Sequence, residues 1–192
     1  MRLFKPSRDE FRKAAFERYA GIRCDAYEVT MRYLETEQAL HAHLLPDIQL
    51  VDINQAALEA AEAWPVDDRM DDGGWSWTKA YRNHASHSRF FPPAVWHQGA
   101  LCGLALGRIT RGKLFLRVNL MQGNPVSNTL KGDVAFILLT AAEFYADGAG
   151  VATVTIERPM EGVVPHYEDY GYELKEDRGE YRMVKELPES PD

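Results

Sequence analysis

The sequence predicts an α/β chain: a mixed sheet over residues 47–187, preceded by an N-terminal helical extension (1–46) and followed by a short flexible tail (188–192). Three observations carry this. Leu114, Leu116, Val118 and Leu120 alternate with Phe115, Arg117, Asn119 and Met121, which is the period of a strand with one inward face. Leu130, Val134, Ile137, Leu138, Ala141, Ala142 and Tyr145 fall at helical spacing, and Phe136 and Phe144 add apolar bulk on a second face, so this helix is expected to lie buried on a sheet. From Asp47 onward the order reads strand, two helices, three strands, buried helix, strand, short helix, two strands.

Each element has its own signal. Ser7 and Glu10 form a capping-box pair that starts a first helix, expected to run to about Tyr19 and to stop at Gly21. A second helical pattern covers Asp25 to Leu45, with Tyr27, Met31, Leu34 and Gln38 three or four apart and Pro46 closing it. Ile48 to Ile53 is short, apolar and β-branched, and Asn54 can cap a helix through Ala57, Leu58, Ala61 and Trp64. Pro65 to Gly74 is turn chemistry throughout, and Trp75 to His84 can form a helix burying Trp77 and Tyr81. Pro92-Pro93 restricts the residues after it to an edge or a strand start. Ala94–His97, Leu101–Ile109 and Lys113–Met121 then form a meander turned by Gln98-Gly99 and Arg111-Gly112. After the buried helix, Val151–Ile156 reads as a strand and Val164–Tyr170 as a short helix. Gly171–Leu174 and Glu180–Lys185 close the chain as a hairpin around Asp177-Arg178-Gly179.

The 192 residues carry 22 Lys and Arg against 29 Asp and Glu, a net charge of −7. That balance argues against coating nucleic acid or an anionic membrane, since either requires net positive charge. A content of 45% hydrophobic residues suits one sizeable core and excludes disorder. Two cysteines, Cys24 and Cys102, are too few for a disulfide scaffold or a thiolate zinc site, and there is neither a signal peptide nor a stretch of about 18 apolar residues, so a soluble cytoplasmic protein is expected. Charge is uneven: the first 23 residues hold seven bases and three acids, whereas Glu161–Asp192 holds ten acids and four bases. His84 and His87 have helical spacing but no third ligand near them, so no metal site is expected.

Two segments resemble the GNAT superfamily of acyl-CoA-dependent N-acetyltransferases. Pro165-His-Tyr-Glu-Asp-Tyr-Gly-Tyr172 is similar to that family's Tyr-x-x-x-Gly-Phe signature, with Tyr167, Gly171 and Tyr172 in matching places. Trp96-His-Gln-Gly-Ala-Leu-Cys-Gly-Leu-Ala-Leu-Gly107 is similar to its turn followed by an apolar strand. The resemblance covers residues 47–187 and implies acetyl-CoA as co-substrate, with no metal, and a small-molecule or protein amine as acceptor. It further implies that backbone amides near Val118 to Leu120 polarise the acetyl carbonyl, that amides from Lys131, Gly132, Asp133 and Val134 at a helix start hold the pyrophosphate, and that Tyr167 is the general acid. The sequence departs from the family's Gln/Arg-x-x-Gly-x-Gly/Ala loop: in Lys131-Gly-Asp-Val-Ala-Phe136, Val134 and Phe136 stand where Gly or Ala is usual, and a longer loop, Gln122–Thr129, precedes it.

Three candidates have a bland alternative beside the functional one, Tyr167 among them through the resemblance alone. Glu157, at a strand end, can act as general base directly or through water, or be an ordinary surface carboxylate. Asp67, Asp68, Asp71 and Asp72, against the single Arg69, form an acidic loop which in this family's fold walls the acceptor side; it attracts a cationic amine or is a solvated turn. Tyr167 is either an acid or an aromatic packing its helix on the sheet. Two function classes therefore stand side by side: an N-acetyltransferase for a cationic amine, and a binding or regulatory protein that keeps the fold with impaired catalysis. A nucleic-acid module working through the basic first helix is weakened by the acidity of the rest. Oligomeric state is left open, a homo-oligomer included.

Overall fold

The computed structural model describes residues 7–36, 47–65 and 76–188. Helix α1 (Arg8–Thr36) opens with the expected capping box: Glu10 N donates to Ser7 Oγ at 3.2 Å, and Ser7 N donates to the Glu10 carboxylate at 2.6 Å. It does not stop at Gly21. One 29-residue helix replaces the expected pair over the described range, and the expected continuation to Leu45 lies outside the described residues. A mid-helix glycine costs about 1 kcal/mol relative to alanine. Tyr19 before it and Ala26, Tyr27, Thr30 and Leu34 after it are all buried, so packing on both sides of Gly21 outweighs the propensity.

The sheet comes next in the chain: β1 (Ile48–Asp52), helices α2 (Gln55–Glu62) and α3 (Trp77–His84), then β2 (Phe90–Phe91), β3 (Pro93–His97), β4 (Ala100–Ile109) and β5 (Leu116–Gly123). Helix α4 (Val134–Gly148) leads to β6 (Thr153–Glu157), a 3₁₀ turn (Glu161–Val163), helix α5 (Val164–Asp169) and the hairpin β7 (Glu173–Asp177) and β8 (Glu180–Glu186). Asn54 and Ser76 cap α2 and α3 through their side chains. The expected third meander strand begins three residues late. Thr110 N bonds Phe115 O, Lys113 takes positive φ, and Leu114 is exposed, so Lys113–Phe115 belong to the turn. Strand β2 was not expected; two residues are too short for a periodic signal.

The strand order is β1-β3-β4-β5-β6-β8-β7, with β2 also on β4. Every pairing is antiparallel except β5 with β6, the one place where a helix, α4, must carry the chain back across the sheet. One core lies between the sheet and α1 and α4, and a second, smaller one lies under α2 and α3. Phe91 is fully buried between the two long helices, its ring stacked 5.2 Å from Tyr145 and tilted 52° to that of Tyr27 at 6.4 Å.

A polar tie crosses this core. Arg23 of α1 grips the Asp52 carboxylate with Nε and Nη2, the shortest contact being 2.8 Å, while its Nη1 donates to Phe90 O. Tyr27 Oη donates to Asp52 Oδ1 at 2.9 Å. Removing the carboxylate leaves a largely buried guanidinium and phenol without their acceptor. Asp52→Ala is therefore expected to cost about 2 kcal/mol in chemical denaturation, reduced from a fully buried pair because Asp52 remains partly exposed.

Candidate functional site

The sheet opens between its two parallel strands. Pairing of β5 with β6 covers Leu116 with Val154, Arg117 with Thr155 and Val118 with Ile156, and there it ends. Strand β5 runs on from Asn119 to Gly123 bonded only to β4, leaving its other edge without a strand partner among the described residues. The cause is local. Leu106 pairs with Leu120 and Gly107 with Val118, so Asn119 is an extra residue, a bulge that bends the strand and increases its twist. At Gly107 a Cβ would lie 2.6 Å from Arg117 O, so glycine is needed for β5 to come this close at the bend.

Helix α4 begins beside this opening. A Cβ on Gly103 of β4 would collide with the Val134 side chain, so glycine at 103 lets the first turn of the helix sit directly on the sheet. The loop from β5 to α4 is clamped to the β4 edge. Asn124 N and Asn128 Nδ2 donate to Cys102 O, Asn124 Nδ2 donates to Leu101 O, and Thr129 Oγ1 lies 2.7 Å from His97 Nδ1. Within the loop, Lys131 N bonds Asn128 O, and Asp133 N and Val134 N both bond Leu130 O. Gly132 has φ +101 and open space where a Cβ would stand. The Asp133 carboxylate makes no capping bond to the helix it precedes.

The Tyr-x-x-x-Gly-aromatic element is a helix stop. Tyr172 N bonds Tyr167 O at 3.0 Å and Gly171 N bonds Glu168 O at 2.9 Å, with Gly171 at φ +82: a Schellman cap. Tyr167 and Tyr172 are the flanking positions whose apolar contact accompanies such a cap, and both are buried in the main core. Tyr172 Oη donates to Glu143, which is also held by Lys185 Nζ at 2.8 Å. Burial pushes the Tyr167 phenol up to about 12, with nearby Tyr170 adding to the shift. Tyr170 was not singled out by sequence; its hydroxyl donates to Gly132 O and its ring lies 5.5 Å from Phe136, joining α5 to the start of α4.

Glu157 ends β6 at the mouth of the opening. Its Oε1 accepts from Thr155 Oγ1 at 3.0 Å and lies 3.7 Å from Arg117 Nε, so it is a partnered carboxylate. Arg117 and Asn119 flank Val118; neither has a sequence signal beyond the alternation of its strand. The backbones of Val118 and Leu120 stand at the bend and just beyond it. Asp67, Asp68, Asp71 and Asp72 lie outside the described residues, as does Trp75; the start of α3 after that loop is tied back to α2, with Ser76 Oγ and Thr78 N donating to Glu62. Trp77 is buried and its Nε1 donates to Gln122 Oε1 at 2.8 Å, fixing α3 to the end of β5. His84 and His87 have separate engagements, His84 at Ala80 O and His87 at Arg108. Among the described residues no group of His, Cys, Asp or Glu is placed to hold a metal ion, and no helix is long and apolar enough to cross a membrane.

No protein-family model matches the sequence. No curated protein matches it either. The structure itself is similar to solved N-acetyltransferases. The ribosomal-protein-S18-alanine N-acetyltransferase of Escherichia coli aligns over 76% of this chain and 96% of its own, at 17% identity and a TM-score of 0.55. Spermidine/spermine N-acetyltransferase SpeG of Vibrio cholerae aligns over 73% and 92%, at 16% identity and 0.54. An aminoglycoside 6′-N-acetyltransferase solved with coenzyme A aligns over 75% and 99%, at 12% identity and 0.59. The chain has the GNAT acyltransferase fold, as its sequence implied.

The buried phenols give a pH dependence. Burial raises Tyr27, Tyr145, Tyr167 and Tyr172 above the ordinary tyrosine value near 10. The folded state therefore holds protons that the unfolded chain releases, so the stabilisation is complete below pH 10 and is lost as pH rises above it. The urea midpoint is expected to be level up to about pH 9.5 and to fall by pH 11, each phenol contributing up to about 1.4 kcal/mol per pH unit.

Proposed function

We propose that the chain is an N-acetyltransferase that transfers an acetyl group from acetyl-CoA to an amine, and that the acceptor is a cation. The observation carrying this is the edge of β5 beyond Val118, which has no strand partner among the described residues and lies beside the start of α4. An extended acyl arm with its own amide groups fits such an edge as a strand would. The neighbours in fold include an enzyme solved with coenzyme A and enzymes named for spermidine and aminoglycoside acceptors.

The residues fit the co-substrate unequally. The β5 edge beyond Val118 has no strand partner among the described residues, and Gly132 with its open Cβ position leaves room at the helix start. Lys131 adds a positive charge there. Against this, the amides of Lys131, Asp133 and Val134 already donate within the loop, and Asp133 brings a negative charge to the N-cap position of α4. Acetyl-CoA supplies the activated thioester when bound. In this reading, backbone amides at Val118 and Leu120 face the developing oxyanion. Glu157, with Oε1 engaged by Thr155, accepts the amine proton through its other oxygen, directly or by way of water. Tyr167, held neutral by burial, donates a hydrogen bond to the departing sulfur. Asp67, Asp68, Asp71 and Asp72 draw the cationic acceptor to the site.

The inward-turned amides of Lys131, Asp133 and Val134 favour a second reading, a GNAT-fold binding or regulatory protein with impaired catalysis. Calorimetry and thermal melting with acetyl-CoA separate the two. The enzyme reading expects saturable heat and, at a hundredfold excess over Kd, about 2.7 kcal/mol of added stability. Absence of both at millimolar co-substrate would remove it. Tyr167→Phe is expected to lower kcat about 100-fold with acetyl-CoA affinity retained; an unchanged rate between pH 6 and 10 would leave Tyr167 as a packing residue only.

A further inference from the structure

The extra residue of the β5 bulge carries a side chain whose oxygen has no hydrogen-bond partner among the described residues. Asn119 Oδ1 is buried and without a hydrogen bond, and no hydrogen bond of the Asn119 amide nitrogen occurs among the described residues. A buried carbonyl oxygen left unpaired destabilises the fold, because it has given up water and gained no donor. Nothing at this position requires asparagine for the fold: the bend is accommodated by Gly107, and the neighbours along the strand are held by Val118 in one core and Leu120 against the other. Asn119 also stands at the residue where β5 loses β6, the point at which a ligand in the opening would first meet the strand.

The chemistry of the side chain narrows the ligand. A carboxamide presents one acceptor and one donor edge side by side, and rotation about χ2 exchanges which of them faces outward. Its complement is a group offering an N–H and a C=O together. We infer that Asn119 is a positioning residue that pairs with a secondary amide lying in the β5–β6 opening. Resting on the acetyltransferase reading, two sources provide that group: the amides of the co-substrate's pantetheine arm, and the first peptide bond of a peptide acceptor. The pairing adds a side-chain contact to whatever the bare strand edge supplies, and it satisfies the orphaned side-chain oxygen on β5.

The test uses the full chain with Asn119→Ala and Asn119→Asp, neither of which removes an internal bond. Both are expected to melt within a few degrees of the parent. Calorimetry with coenzyme A and with adenosine 3′,5′-bisphosphate, which lacks the arm, reads the first source. Binding of coenzyme A about tenfold weaker in both variants, with the bisphosphate unaffected, assigns the pairing to the arm. Equal coenzyme A affinity with a KM about tenfold higher for the peptide Ala-Ala-Ala-amide assigns it to the acceptor. If the parent binds coenzyme A and the variants match it in both measurements, the proposal is overturned while the acetyltransferase reading stands. If the parent binds no coenzyme A, both fall.

Discussion

The geometry of the candidate site depends on one departure from regular pairing, the bulge that places Asn119 in β5 without a counterpart in β4. A parallel pair that continued past Val118 would close the sheet and leave no opening. With the extra residue, β5 turns from β6, and its far half keeps only β4 as a strand partner among the described residues. Two glycines on β4 make this possible in different ways. Gly107 admits the bent strand, and Gly103 admits the helix that begins beside it. Opening and helix start are thus positioned by absent side chains on a single strand.

The loop before α4 shows how the same fold can be tuned. Asn124 and Asn128 hold it against the end of β4, and backbone bonds within it consume amides that an anion would otherwise use. Rigidity here is gained by internal satisfaction, which preorganises the loop and reduces the number of donors left for a ligand. A phosphate bound at this place would have fewer partners than a glycine-rich loop provides. The Lys131 charge, the space above Gly132 and the amides of Gly132 and Ala135, which have no backbone acceptor among the described residues, remain to hold it.

Much of this was legible in the sequence, and the failures have physical reasons. Alternation located β5 through Leu116 and Val118, and helical spacing located α4, because both bury one face and the pattern records it. The Tyr167-to-Tyr172 element was readable because a Schellman cap needs glycine at one fixed position between two apolar ones. That same account shows why the motif does not by itself assign chemistry to Tyr167: the cap explains every residue in it. The single helix through Gly21 was missed because propensity is local, whereas the contacts that override it come from α4, far along the chain. The placement of Arg117 and Asn119 beside the opening was invisible, since a bulge depends on pairing between strands and leaves no trace in one of them.

The union of α1 with α4 also sets an order of events during synthesis. The apolar face of α1, with Tyr19, Ala26, Tyr27 and Leu34, is complete long before Ile137, Leu138 and Tyr145 exist to cover it. At about 5–20 residues per second, that wait lasts roughly 5–25 s. Through that interval the nascent chain carries an uncovered tyrosine-rich helix whose Arg23 can already meet Asp52 of β1 but whose main partner is still to come. Burial of α1 on the ribosome is thereby tied to the arrival of the α4 crossover helix, which is made well after it.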